Sequence, residues 1–67
     1  MRDLPPTPKQ IEIMQLLSEG HKAVDIAKML YISDTTLRTH IQDVMFRLGT
    51  HTRAHMIAVA LRRGWIR

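Results

Sequence analysis

Apolar side chains return every three or four positions along most of this chain, and the face they mark shifts from segment to segment. Between Lys22 and Leu48 two such patterns follow one another, joined by the short step Leu30-Tyr31-Ile32-Ser33. Ala23, Ile26, Ala27 and Leu30 mark the first; Leu37, Ile41, Val44, Met45 and Leu48 mark the second. Spacing of i, i+3, i+4 and i+7 gathers them on one side of a helix. The second helix turns a different face outward, made of Thr35, Arg38, Thr39 and Gln42. Its hydroxyl, amide and guanidinium groups suit base edges and phosphates, and two short helices about a tight turn read as a helix-turn-helix.

The flanks extend the helical reading. Residues 1–6 form an arm, because Leu4-Pro5-Pro6 favours extended backbone. Thr7-Pro8-Lys9-Gln10 opens a first helix, with Thr7 as cap, Pro8 at the first helical position and Gln10 where a capping-box partner belongs. Ile11, Met14 and Leu17, with Ile13 and Leu16 beside them, supply its buried side, and Gly20 ends it in a left-handed conformation. The second helix spans about Lys22 to Leu30. Tyr31 then sits at a turn position where many such motifs carry Gly; a positive φ there costs on the order of 1–2 kcal/mol. Ser33 caps a third helix reaching about Leu48, Asp34 complements its dipole, and Gly49 stops it.

A fourth helix runs from about Arg53 to Arg63, between Thr52 as cap and Gly64 as terminator. It is apolar on two sides. Ala54, Ile57, Ala58 and Leu61 make one stripe, read as facing the core; Met56, Val59 and Ala60 make another. Two apolar sides ask for two partners, and twofold pairing with a second copy, with Arg63 at the edge, would supply one. Alternatively Met56 and Val59 are scattered exposed groups. There are no repeats and no strand patterns, so the fold class is all-α, four helices in one domain over residues 7–67.

Charge placement strengthens the reading of the third helix. Residues 1–34 carry a net −1 and residues 35–67 a net +5, within a total of +4. A basic half that begins at the proposed recognition helix fits attraction to a polyanion. Sixty-seven residues without Cys hold neither disulfides nor thiolate metal sites. So small a domain is marginally stable, resting on helix packing or self-association. No apolar run approaches the roughly 18 residues of a membrane span and no signal peptide opens the chain, so an intracellular, soluble protein is expected.

With these residues set out, the chain resembles the LuxR/FixJ/GerE-type (NarL-like) DNA-binding domain of bacterial transcription factors. The resemblance covers about residues 4–66. It rests on Leu4 with Thr7-Pro8, Glu12 and Leu16-Leu17-x-x-Gly20; on Asp25-Ile26-Ala27-x-x-Leu30-x-Ile32-Ser33; on Thr36-Leu37-Arg38-Thr39-His40; and on Arg47-Leu48-Gly49. It implies a tetrahelical helix-turn-helix without a wing, the third helix in the major groove, and homodimers on inverted-repeat sites paired through the fourth helix. Carried over by position, Thr36, Arg38, His40 and Arg47, with Lys28, would lie at phosphates. Thr35, Thr39 and Gln42 would face the bases, with Arg38 able to do either. It also implies a cytoplasmic protein at the bacterial nucleoid.

The chemistry of those roles stands apart from any family. Arg donates a planar fork to guanine or phosphate, Gln pairs bidentately with adenine, and Thr offers a hydroxyl and a methyl. The alternatives are bland: the threonines as an ordinary polar face, His40 as a partly buried side chain beside Ile41. Three departures from the family pattern stand out. Val24 replaces a frequent basic residue, Thr35 stands where Lys or Arg is common, and Phe46 lies on the outward side of the third helix, roughly opposite Leu37 and Ile41. Phe46 packs on the fourth helix or the arm, or else is exposed to a protein partner.

Other chemistries lack parts. His51 and His55 are four apart, but no Cys or zinc-protease Glu joins them. No nucleophile–base set or phosphate loop exists, so neither enzyme activity nor a cofactor is expected, nor a small-molecule ligand. The expected partner is double-stranded DNA. The rival reading is a protein-interaction module binding RNA polymerase or another regulator, and other helix-turn-helix classes, such as the DNA-contacting end of a sigma factor, share the pattern. Met1 suits a complete small regulator, controlled by its own concentration, dimerisation or a partner, or a piece of a larger one.

Overall fold

The structure, a computed structural model, describes residues 4–67. The first three residues of the expected arm lie outside the described residues. Four helices follow: α1 (Pro8–Ser18), α2 (Ala23–Met29), α3 (Asp34–Leu48) and α4 (Arg53–Arg62). No strand occurs among the described residues. α1 and α3 each pack against the other three helices, whereas α2 and α4 meet only those two. The core therefore lies between α1 and α3, with α2 closing one side and α4 the other.

The helix starts follow from side-chain chemistry. Thr7 Oγ1 accepts from the Gln10 amide at 3.2 Å while Gln10 Oε1 accepts from the Thr7 amide at 3.0 Å, a reciprocal box that satisfies two end groups. Ser33 Oγ accepts from the Thr36 amide and Thr52 Oγ1 from the His55 amide, each at 3.0 Å. α2 has no side-chain cap; Lys22 precedes it in extended backbone.

All four helices end alike. A left-handed residue turns the chain, and the amide after it reaches back to the carbonyl five residues earlier. The closing bonds are His21 to Leu16 (3.2 Å), Ile32 to Ala27 (3.0 Å), Thr50 to Met45 (2.9 Å) and Trp65 to Ala60 (3.0 Å). The turning residues are Gly20, Tyr31, Gly49 and Gly64. Tyr31, at φ 57°, is the one non-glycine among them, and its side chain is 95% exposed, so nothing packed against it offsets the strain. The turn of the helix-turn-helix thus has the geometry its position demands, made by a residue ill suited to it.

The buried set is Ile13 and Met14 of α1, Ile26 and Ala27 of α2, Leu37, Ile41 and Val44 of α3, Met56 and Ala60 of α4, and Ile66 beyond it. Two results differ from the pattern-based expectation. On α1 the innermost row is Gln10, Ile13 and Met14, with Ile11, Leu16 and Leu17 half-buried. A polar Gln10 sits in that row because each of its side-chain polar atoms has a partner: Oε1 accepts from the Thr7 amide, and Nε2 donates to Asp43 Oδ2 at 2.7 Å.

On α4 the expected orientation is reversed at every position but Ile57 of the core-assigned stripe. Met56 and Ala60, assigned above to a dimer face, are 0% exposed in the chain's own core. Of the stripe assigned to the core, Ala54 and Leu61 are exposed and Ala58 is half-buried, while Ile57 is half-buried and does pack against the core. Val59 is half-buried and Arg63 exposed, its guanidinium 5.4 Å from the centre of the Trp65 ring. The reversal has a simple cause. Both stripes are apolar, so the pattern sets no preference between them, and the docking of α4 on α1 and α3 buries Met56 and Ala60.

Candidate nucleic-acid interface

α3 presents its outward side through its length. Leu37, Ile41 and Val44, 1–2% exposed, anchor it to the core. At 3.6 residues per turn, Thr35, Thr39 and Gln42 point the opposite way, and all three are exposed, as is Arg38 at the edge of that face. The four residues expected to face bases are therefore brought together on one accessible strip.

Local bonds decide what each hydroxyl offers. Ser33 Oγ donates to Thr36 Oγ1 at 2.9 Å, which leaves the Thr36 proton to give outward, as a phosphate contact needs. Thr39 Oγ1 donates to the Thr35 carbonyl at 3.0 Å. Thr39 thus shows its surroundings a methyl and an acceptor, not a donor. Gln42 carries both amide functions into the open.

The proposed phosphate set is less uniform. Lys28 and Thr36 are exposed, and His40 is half-buried on the flank that also carries Asp43. Arg47 is engaged within the protein: its Nε donates to Asp43 Oδ2 at 2.7 Å and its Nη1 to the Pro5 carbonyl at 2.8 Å. With Asp43 and Gln10 it forms a chain of bonds from the arm through α3 to α1. Pro6 is buried beside this chain, so the described part of the arm is docked rather than loose. The Gln10 amide and then the Arg47 guanidinium, both donating to Asp43, hold its carboxyl below the ordinary carboxylate value of 3.8; partial burial opposes them.

Two features were missed in the sequence. Arg53, at the first position of α4, lines the same cleft as Val24, Asp34 and Arg38. It brings a second cation to the side where Val24 had seemed to leave one missing; only the packing of α4 on α3 puts it there. The second is the bond chain from Pro5 to Arg47, which joins residues 42 apart. Phe46 is 59% exposed, on the same side of α3 as Gln42. Among the described residues, no helix is long and apolar enough to cross a membrane.

Comparison with known proteins agrees with this geometry. Residues 6–60 match the model of the GerE family, described as bacterial regulatory proteins of the luxR family. The spore germination protein GerE of Bacillus subtilis is 34% identical over 58 residues, which is 87% of this chain and 78% of that protein. An HTH-type transcriptional regulator of Mycobacterium tuberculosis is 40% identical over 58 residues, again 87% of this chain but only 7% of the longer relative. A solved structure of the transcription factor GerE superposes with a TM-score of 0.88 at 36% identity, covering 91% of each chain.

Proposed function

The chain belongs to the luxR family of bacterial regulatory proteins, and from that premise we propose that it is a sequence-specific regulator that lays α3 in the major groove of double-stranded DNA. The fold and family are those of DNA-binding transcriptional regulators, which are not enzymes. The observation that carries the proposal is the exposed strip Thr35, Arg38, Thr39 and Gln42, backed by a buried row that fixes how it points. Gln42 and Arg38 read base edges; Thr36, Lys28 and His40 meet phosphates, with Arg53 joining Arg38 from α4. Arg47 serves first as the tie to the arm and lies at the edge of the phosphate path. Such a protein acts in the cytoplasm, at the nucleoid.

Pairing of two copies on an inverted repeat completes the proposal. The α4 surface suited to it is Ala54, Ala58 and Leu61, the last 47% exposed. Small residues let two helices approach closely, and Leu61 supplies the apolar contact. Selection of bound duplexes from a random pool tests all of this together. Enrichment of a palindromic motif supports it; a chain that retards no duplex in a salt-sensitive way would instead be a protein-interaction module, with polymerase or another regulator as its partner.

A further inference from the structure

We propose that Phe46 is a base-reading residue, its ring packed on the C5-methyl group of a thymine in the major groove. The inference rests on the DNA-binding reading of α3 and extends it by one turn. Thr35, Thr39, Gln42 and Phe46 are spaced by four, three and four residues. On a helix of 3.6 residues per turn this spacing makes one straight strip. Phe46 closes that strip and is 59% exposed, while Leu37, Ile41 and Val44 on the opposite side are buried. The ring is thus continuous with the proposed base-facing surface, in line with the residues that would read bases.

Distance and charge agree. Phe46 lies four residues past Gln42, about 6 Å along the axis. Successive base pairs are stacked about 3.4 Å apart, so with α3 lying along the groove, as this proposal takes it, the ring falls roughly two steps from the base that Gln42 meets. The one carboxylate on the neighbouring flank, Asp43, accepts from Gln10 and Arg47, which offsets its charge toward a polyanion. The ring itself has no polar atom. In the major groove the apolar group it can recognise is the thymine methyl, and Phe is among the side chains suited to that contact.

The test uses the 67-residue chain and the duplex it enriches from a random pool. Each thymine is replaced in turn by deoxyuridine, which keeps the base pair and removes only the methyl. Wild type should lose about three- to fivefold in affinity at one thymine, as expected for one methyl withdrawn from an apolar contact. That thymine should lie about two base pairs from the position whose preference relaxes in Gln42→Ala. Phe46→Ala should bind the intact site about three- to fivefold more weakly and be indifferent to that replacement, whereas Phe46→Leu should keep the dependence. A Phe46→Ala chain with wild-type affinity and an unchanged uracil profile overturns the inference. A wild-type profile with no sensitive thymine overturns it as well. A wild-type chain that enriches no duplex overturns the DNA-binding reading, and this one with it.

Discussion

α3 and α4 are both two-sided helices, yet only one of them could be oriented from its pattern. α3 sets Leu37, Ile41 and Val44 against Thr35, Thr39 and Gln42, so one side gains by leaving water and the other loses. α4 sets Met56 and Ala60 against Ala54, Ala58 and Leu61, and both sides gain by burial. The contrast between faces, not the number of apolar residues, is what orients a helix. Where the contrast vanishes, only the docking against neighbouring helices decides, and here it buries Met56 and Ala60.

The strongest way to break that comparison is to cut into each side of α4. Met56→Ala should cost about 3 kcal/mol, measured by chemical denaturation, because it opens a cavity among α1, α3 and α4. In so small a domain that loss consumes much of the total stability. Leu61→Asp should leave the monomer's stability within about 0.5 kcal/mol and abolish self-association in sedimentation. The opposite ranking would return α4 to the orientation its pattern first suggested.

For α3 the corresponding test separates the outward strip from the anchored row. Arg38→Ala should weaken duplex binding by about 1–3 kcal/mol while leaving the melting curve unmoved. Equal binding by wild type and variant in a titration would detach the strip from the duplex.

A third prediction concerns what holds α3 against α1. Gln10→Ala leaves the Thr7 amide without its partner and Asp43 with Arg47 alone, and should cost about 1–2 kcal/mol in a thermal melt. The same contact carries a pH signature. The folded pKa of Asp43 lies below its unfolded one, so its pairing stabilises the fold above pH 3.8 and fades as pH falls through the lower folded value. Asp43→Asn should therefore show a shallower loss of stability in that acid range than wild type. Parallel acid profiles would show that the bond chain contributes nothing.

The smallest effect is at the turn. Tyr31→Gly relieves the left-handed strain but adds freedom to the unfolded chain, for a net gain of at most about 1 kcal/mol. Gly49→Ala, at the matching position after α3, should lose about the same amount. Melting temperatures of the two variants should move in opposite directions. A shift in the same direction would mean that the two helix ends are not equivalent.

What the amino-acid order determined by itself was local: four helices, the caps at Thr7, Ser33 and Thr52, the tight turn around Tyr31 and the polar strip of α3. Each depends on neighbours within one or two turns, where periodicity and hydrogen-bonding groups act directly. The packed fold alone decided which side of α4 is buried, that Gln10 enters the core, that Arg47 clasps the Pro5 carbonyl, and that Arg53 stands beside Arg38. Those outcomes depend on groups far apart in the chain, whose burial is favourable only after the helices have docked and supplied one another's partners.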